Sequence, residues 1–254
     1  MRILKFIGFV VLSLCIFSYT AQSASQTKAV TKMESNVQIS DLQTQKKITI
    51  LNTLEKEDLI LTEVKKLRKD KQEDVVCLAL NMYHEARGSS VKDQIATTYV
   101  VFNRYESGNY PLTLVKNEHN LCNIIFDRWQ FCWTNGNIIP KPNVKLHGEK
   151  IAWEKAQRLA LELYNNPIHR QLAKEFKLQH YVVTPLLYDS KRPKWIDKRQ
   201  LTVQIGKHSY MSLKEGIIHN NKNITKYSKI IDRAYNIIFN KNIKNLNPSI
   251  RKIK

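Results

Sequence analysis

The chain has 254 residues, of which 43% are hydrophobic, so it can build one domain with a real core and is not disordered throughout. Its formal net charge of +19 attracts polyanions such as nucleic acid, anionic membranes or anionic polymers, but says nothing about fold. The sequence contains neither GxxxxGK[ST] nor GxGxxG, which argues against a glycine-rich phosphate-binding loop.

The N-terminus predicts export. Arg2 and Lys5 precede the apolar run 7–20, and Ala21–Ser23 then offers small residues where a signal peptidase cuts. We therefore predict a signal peptide over residues 1–24. A retained signal-anchor is the alternative, because the apolar run approaches the ~20 residues that span a bilayer. Either way the protein would reside in the periplasm, the cell envelope or the extracellular space.

Residues 25–73 are polar, rich in lysine and almost free of Gly and Pro. Their apolar positions recur at roughly helical spacing, which predicts a helical linker. Two arrangements fit this pattern: a stalk, which could dimerise, and a solvated helix packed on the next domain. The positions concerned are Ile48, Leu51, Leu54, Leu59, Leu61, Val64 and Leu67.

A composition shift near Asp74 marks the start of the domain that we predict over residues 74–213. Its first apolar run, Val75–Arg87, has helical spacing and is followed by Gly88, a residue typical of helix C-termini. A second helix is predicted over Val91–Tyr105, before a turn rich in Gly, Asn and Pro.

An irregular, aromatic stretch comes next, and a third helix is predicted over Gly148–Tyr164. Short strands are predicted over Gln179–Thr184 and Leu201–Ile205. Residues 214–254 form a basic extension rich in Asn, Lys and Ile, with one amphipathic helix over Tyr227–Phe239.

Four cysteines occur, at positions 15, 77, 122 and 132. Cys15 would leave with a cleaved signal peptide, and the other three cannot all pair within one chain. Because Cys122 and Cys132 are close in sequence and an exported protein meets oxidising conditions, we predict a disulfide between them and a buried thiol at Cys77. No Cys/His cluster has zinc spacing, so we predict neither a metal site nor a cofactor.

Glu85 falls at the C-terminal end of the first predicted helix, among apolar and aromatic neighbours. Desolvation there would raise its pKa, which a general acid for glycosidic cleavage requires. Arg87 could hold a substrate carboxylate. Local features alone favour a plainer interpretation, a surface Glu beside a surface Arg. His84 does not create a zinc site, because an HExxH motif would need a second His where Gly88 stands.

Two further clusters could line a site. Residues 127–133 mix aromatic and polar side chains, and aromatic faces with an amide between them suit sugar rings, although core packing explains them equally well. The other cluster joins His180 and Tyr181 to Trp195 and His208. Each His alone is more often structural than catalytic, but together these residues suggest the second wall of a cleft.

In this order, the segments resemble the catalytic domain of the SleB-type cell wall hydrolases, the spore cortex-lytic or Hydrolase_2 family. The resemblance covers about residues 74–211 and rests on seven blocks, each a weak signal alone. The blocks are Ala79–Gly88, Gln94–Ala96 with Val100–Arg104, Asn109–Pro111, Gln130–Trp133, His180–Tyr181, Pro193–Trp195 and Ile205–Tyr210.

The resemblance implies a compact lysozyme-like α+β domain, mainly helical with a small β-sheet. It also implies cleavage of the β-1,4 bond between N-acetylmuramic acid and N-acetylglucosamine by a lytic transglycosylase. In that reaction one Glu, which Glu85 matches, protonates the leaving oxygen and then assists attack by the muramyl 6-hydroxyl. The predicted substrate groove, drawn from matching positions and from the clusters, consists of Tyr83, Arg87, Gln130, Phe131, Trp133, His180, Tyr181, Trp195 and His208.

Two positions depart from the family pattern: Asp93 stands where Gly is usual, and Val182 where a second His is common. A two-carboxylate glycosidase with water as the acceptor is the competing mechanism. The carboxylates available for it are Asp93, Glu106, Glu118 and Asp127.

The expected partners are peptidoglycan glycan strands, with anionic wall polymers or a membrane surface bound through the basic face. No specific nucleic acid is expected, because no recognition motif accompanies the charge. The alternative function is an exported, non-catalytic wall-binding protein, against which the presence of Glu85 argues. The family's roles in spore germination, wall remodelling and phage lysis all stay open.

Overall fold

The computed structural model describes residues 41–54, 59, 61–110, 120–136, 139–190, 192–213 and 221–245. The predicted signal segment, residues 1–24, lies outside these ranges. Within them, no helix combines the length and the apolar character needed to cross a bilayer.

The described chain is mainly helical, with a small antiparallel sheet packed against helices α4 and α8. Residues 41–54 are helical and are called α1 here. The further helices are α2 (Thr62–Lys65), α3 (Lys69–Ala86), α4 (Val91–Ser107), α5 (Leu121–Phe126), α6 (His147–Asn165), α7 (Pro167–Phe176) and α8 (Asn221–Asn245), and the strands are β1 (His180–Val183), β2 (Arg199–Ile205) and β3 (His208–Leu213). The expected fold class is confirmed, since this architecture is compatible with a lysozyme-like α+β domain.

Helix α3 is the centre of the core. From Val75 to Tyr83 every residue is buried, so the helix is enclosed on nearly all sides, as an all-round apolar helix must be. It packs on α4, α5 and α6. The completely buried ring of Trp153, on α6, meets the ring of Tyr83 edge-on, with 5.9 Å between centroids. These contacts fix the last turn of α3, which carries Glu85.

Helices α3 and α4 confirm the two helices predicted over Val75–Arg87 and Val91–Tyr105, although their observed ends differ from the predicted ones. α3 begins earlier, at Lys69, and its C-terminal capping residue is Arg87 rather than Gly88. α4 begins after Ser90, whose side-chain oxygen accepts the amide hydrogen of Asp93 at 3.3 Å. Gly108 ends α4 in the left-handed conformation, with φ of 66°.

The sheet has the order β1-β3-β2 and is antiparallel throughout. The central strand β3 was not predicted as a strand, because its residues were interpreted as a cluster of site residues. It continues directly from β2 through a tight turn at Gly206, whose φ is 59°. Pairing of β1 with β3 places Tyr181 opposite Tyr210 and Val183 opposite His208. The sheet therefore brings together residues that the sequence separates.

The described part of the predicted linker packs on the domain. Leu51, Leu54 and Val64 are buried in the same core cluster as the residues of α3, which agrees with the packed helix of the two arrangements considered. Helix α8, in the C-terminal extension, likewise contacts α4, α7 and β2 through buried residues such as Ile231 and Ala234. The exact limits of the four predicted segments, 1–24, 25–73, 74–213 and 214–254, stay predictions.

The predicted disulfide between Cys122 and Cys132 is wrong. Cys77 of α3 is bonded to Cys122 of α5, with 5.3 Å between the Cα atoms, and Cys132 is a free, exposed thiol. Sequence proximity is misleading because α5 packs directly on α3. The carboxylate of Asp74 reinforces that packing, since it accepts the amide hydrogens of Leu121 at 2.9 Å and of Cys122 at 3.3 Å.

We predict that Cys77→Ser lowers the free energy of unfolding, whereas Cys132→Ser leaves it unchanged. The Cys77–Cys122 bond closes a loop with a sequence separation of 45, for which loop entropy gives a stabilisation of about 4 kcal/mol. Urea unfolding of the oxidised proteins measures both effects. Thiol alkylation of the wild-type protein should label Cys132 but neither Cys77 nor Cys122. A large loss of stability in Cys132→Ser would contradict this pairing.

Candidate active site

Glu85 lies in the last turn of α3 with its side chain half-buried. Its Oε2 accepts a hydrogen bond from the hydroxyl of Tyr181, on β1, at 3.2 Å. Burial raises the pKa of the Glu85 carboxyl, although the Tyr181 bond and the charges of His208 and Arg104 oppose the rise. The carboxyl therefore holds its proton to a higher pH than an ordinary Glu, as a general acid must.

Tyr181 is surrounded by aromatic rings that fix its hydroxyl above Glu85. Its ring meets His208 edge-on at 5.0 Å between centroids and lies 5.5 Å from Tyr210 and 6.3 Å from Phe131. Burial, followed by the negative charge of Glu85, raises the pKa of Tyr181 well above its usual value. The hydroxyl therefore stays protonated and acts as a donor toward the carboxyl.

Arg104, in the last turn of α4, is a site residue that the sequence analysis did not select. It is buried, and its Nε donates to the carbonyl oxygen of Gln179, just before β1, at 2.9 Å. Its guanidinium lies over the ring of Phe131, 5.0 Å from the centroid, and its positive charge lowers the pKa of Glu85. The sequence offered one indication of its role, its position in the Val100–Arg104 block. A basic residue in the last turn of a helix has a simpler explanation, because it stabilises the helix end.

Asp93, which the sequence offered only as a possible second carboxylate, anchors the sheet to α4. Its completely buried carboxylate accepts the amide hydrogen of Lys207 at 3.0 Å, lies 2.9 Å from Nδ1 of His208 and accepts the hydroxyl of Tyr210 at 2.7 Å. The turn needs Gly206, because a Cβ atom there would lie 2.6 Å from the Asp93 carboxylate. The Ser90-x-x-Asp93 spacing could have indicated a helix cap, but not these distant contacts.

The Asp93 carboxyl is ionised in spite of its burial. Burial alone would raise its pKa, but hydrogen bonds from His208, Ser89 and Tyr210 and the charge of His208 together lower it. The Asp93 carboxylate can only accept a hydrogen bond, so Nδ1 of His208 must carry a hydrogen, and this bond fixes the orientation of the His208 ring. Asp93 thereby determines how His208 is presented to Tyr181.

Part of the aromatic cluster serves packing. Trp133 is half-buried, stacks on His84 with 4.6 Å between ring centroids and donates from Nε1 to the side-chain oxygen of Asn81 at 3.1 Å. Burial lowers the pKa of His84 to about 4, so this imidazole is neutral. Phe131 is buried between Tyr181 and Arg104. The loop that carries Trp133 therefore packs on α3 beside Glu85.

In the described part of the structure, no hydrogen bond joins Gln130 or Arg87 to the Glu85 carboxyl. Gln130 is half-buried, and its Nε2 lies 3.5 Å from the carboxylate of Asp127. Arg87 is 3.7 Å from the carboxylate of Glu149, on α6, and its guanidinium lies over the Tyr83 ring. Arg87 therefore pairs with a carboxylate of the protein itself.

Tyr83 lies on another side of α3 from Glu85. Residues two positions apart on a helix point about 200° apart. The hydroxyl of Tyr83 donates to Glu149, and burial, followed by that bond, raises its pKa to about 12. The structure therefore places Tyr83 and Arg87 in the contact between α3 and α6, and Tyr181, Phe131 and His208 around Glu85.

His180, the first residue of β1, lies beside Trp195. The His180 ring is 5.9 Å from the exposed ring of Trp195, and Nε2 of His180 is 3.1 Å from a guanidinium nitrogen of Arg199. Burial and the charge of Arg104 lower the pKa of His180 to about 3. A neutral imidazole beside an exposed indole can offer hydrogen bonds and an apolar face to a sugar.

Of the carboxylates considered for a two-carboxylate mechanism, those that the structure describes are either buried or held in ion pairs. Asp93 is enclosed by the β2–β3 turn, and Asp127 is completely buried. Glu106 pairs with Arg170 and Lys174 of α7, at 3.9 and 3.1 Å. Glu118 lies outside the described residues. The described ranges also contain no group of three or more His, Cys, Asp or Glu side chains placed to hold a metal ion.

A half-buried carboxyl with a raised pKa, held under a tyrosine hydroxyl in a helical domain with a small sheet, fits the general acid of a glycosidase. Residues 88–211 match the family model Hydrolase_2, described as Cell Wall Hydrolase. The chain therefore carries a domain of the SleB-type cell wall hydrolase family, enzymes that degrade peptidoglycan, and the recognised resemblance is confirmed.

The family match covers Arg104, Tyr181 and His208, and it begins at Gly88, just after Glu85. The role of Glu85 therefore depends on the geometry around it. No curated protein and no solved structure matches the chain significantly.

We predict that Asp93→Asn lowers the free energy of unfolding by about 2 kcal/mol near neutral pH, because hydrogen bonds to a charged acceptor are lost in a buried place. The pKa of Asp93 is lowered in the folded state, so its contribution is complete above the usual pKa and is lost as pH falls through the folded value. The difference between wild type and variant, measured by urea unfolding, should therefore shrink in acid.

Asp232→Asn is the matched control for that experiment. Asp232 forms an exposed ion pair with Lys92, with 2.7 Å between Nζ and Oδ1, and such pairs contribute less than about 1 kcal/mol. Equal losses in the two variants would contradict an anchoring role for Asp93.

Proposed function

We propose that the protein cleaves the β-1,4 bond between N-acetylmuramic acid and N-acetylglucosamine in peptidoglycan, as a lytic transglycosylase with Glu85 as its acid and base. The observation that carries the proposal is the half-buried Glu85 carboxyl, whose pKa burial raises and whose Oε2 accepts the Tyr181 hydroxyl. The cell wall hydrolase domain supplies the substrate class.

In the first step the protonated Glu85 carboxyl gives its proton to the oxygen that links the two sugars. The bond between that oxygen and C1 of the muramyl unit breaks, and positive charge develops at C1. Glu85 becomes a carboxylate, which is stabilised by the groups that lower its pKa, namely the Tyr181 hydroxyl and the charges of His208 and Arg104. The site thus keeps the proton before cleavage and stabilises the anion afterwards.

In the second step the Glu85 carboxylate removes the proton from the 6-hydroxyl of the same muramyl unit. That oxygen attacks C1, a new bond closes the 1,6-anhydro ring, and the carboxyl is protonated again. The substrate supplies its own nucleophile, so a single carboxyl suffices. The enclosure of Asp93 and Asp127 supports this sequence over a hydrolysis that needs a second carboxylate to activate water.

We further propose that the protein acts outside the cytoplasmic membrane, in wall remodelling or in endolysin-like lysis. The signal-like segment over residues 1–24 supports export, and the net charge of +19 supports attraction to anionic wall polymers or a membrane surface. An exported wall-binding protein without activity is the alternative, and it would not need a carboxyl that retains its proton.

The decisive variant is Glu85→Gln, which keeps the shape of the side chain but cannot donate a proton. We expect the rate on purified peptidoglycan to fall by about 100- to 10,000-fold, the range that a general acid contributes. Zymography and turbidity clearance measure the loss. Mass spectrometry of wild-type products should show muramyl ends lighter by one water molecule.

Glu106→Gln is the control for this variant, because Glu106 belongs to ion pairs with α7 and should leave the rate unchanged. Undiminished activity of Glu85→Gln would eliminate its role as the acid. Products with ordinary reducing ends would replace the transglycosylase with a muramidase, and an inactive wild type that binds peptidoglycan would favour the wall-binding alternative.

Tyr181→Phe should move the basic limb of the pH–rate profile to higher pH. The Tyr181 hydrogen bond lowers the pKa of Glu85, so its removal raises that pKa, and the protonated acid persists further into the basic range. The profile of kcat/KM measures the shift, with Tyr188→Phe as control because Tyr188 is exposed. A limb that stays in place or moves to lower pH would refute the coupling.

A further inference from the structure

The backbone of Trp129 adopts the left-handed conformation, with φ of 67°. This conformation is strained for residues with a side chain, and for a bulky aromatic residue it is an outlier. Lys177 is the other residue with a side chain and a positive φ in the described part of the chain, and it ends helix α7. Helix termination explains Lys177 but not Trp129, which lies in a loop.

Neighbouring contacts hold the strained backbone in place. The amide of Trp129 donates to the side-chain oxygen of Asn135 at 3.1 Å, and the amide of Gln130 donates to the carbonyl oxygen of Asp127 at 3.2 Å. The side chain of Asn135 also donates to the carbonyl oxygen of Phe131 at 3.1 Å. Strain that is fixed from several sides and is not relieved often marks a functional position.

The Trp129 side chain contributes little to the core. It is 70% exposed, whereas Phe131 in the same loop is 3% exposed. The guanidinium of Arg128 lies 4.6 Å from the Trp129 ring centroid and covers part of one face. The rest of a large, flat apolar surface is open to solvent. Neither burial nor helix capping therefore accounts for a tryptophan in this conformation.

The loop that carries this exposed ring also contacts the proposed reacting centre. Phe131 packs at 6.3 Å from the Tyr181 ring, whose hydroxyl reaches Glu85. Burial, followed by the charge of Glu85, raises the pKa of the Cys132 thiol. From Trp129 to Cys132 the backbone spans at most about 10 Å. We therefore expect a glycan strand with its scissile bond at Glu85 to extend toward Trp129.

We propose that Trp129 is a stacking platform for a sugar unit next to the bond that Glu85 cleaves. The C–H face of an N-acetylhexosamine would pack on the open face of the indole, while Arg128 supports the other face. The left-handed backbone is retained because it projects the ring out of the loop. This inference rests on the proposed function and adds a binding position to it.

The test measures binding to insoluble peptidoglycan sacculi in a Glu85→Gln background, at raised salt to suppress attraction by net charge. Trp129→Gly and Trp129→Asn both remove the ring and suit a left-handed backbone. Each should weaken binding roughly tenfold, the value of one aromatic contact, with a melting temperature equal to or above that of the parent. Trp129→Phe should bind close to the parent.

Tyr188→Ala is the control, since it removes an aromatic ring that is also exposed, 78% against 70% for Trp129, from a segment outside the proposed site. Its binding should equal that of the parent. Unchanged binding in both ring-free variants, or a melting temperature several degrees lower in both, would overturn the platform. Cleavage by the Glu85→Gln parent itself would instead refute the role of Glu85, so the two failures can be told apart.

Discussion

The carboxylate of Asp93 accepts hydrogen bonds from the Lys207 amide, His208 and Tyr210, and so fastens the β2–β3 turn to the first turn of α4. β3 is the central strand, so its position fixes β1 on its other edge. β1 carries Tyr181, which reaches the Glu85 carboxyl. One buried carboxylate thus determines how the sheet meets α3, the helix that carries Glu85. A glycine at position 93 would have no carboxylate to make these contacts.

The proposed reaction requires opposite properties of Glu85 before and after proton transfer. Before proton transfer, burial must keep the carboxyl neutral, and afterwards the surroundings must tolerate an anion. The structure combines both, since burial raises the pKa while Tyr181, His208 and Arg104 lower it. Arg104 comes from α4 and the other two from the sheet. The balance therefore depends on packing between separate elements, and loosening either contact would alter the pKa.

Sequence patterns predicted the elements whose apolar spacing is regular, including α3, α4 and α6 and the edge strands. They also predicted that Tyr181 and His208 share one side of the site, and the structure places the two rings 5.0 Å apart. They failed where distant packing decides. The disulfide joins Cys77 to Cys122 through the contact of α3 with α5. Asp93 similarly gains its role from residues more than a hundred positions away.

The loop after α5 shows why residue type alone could not separate scaffold from binding surface. Phe131 packs against Tyr181 and Trp133 against His84, so the two rings fix the loop on β1 and on α3 respectively. Trp129 faces solvent. The three aromatic residues alternate along the chain, and an extended segment would turn them to one side. The left-handed backbone at Trp129 breaks that alternation. The left-handed angle at Trp129 and the 3-10 turn over Cys132–Thr134 thus set the ring proposed to bind a glycan apart from the two that hold the loop in place.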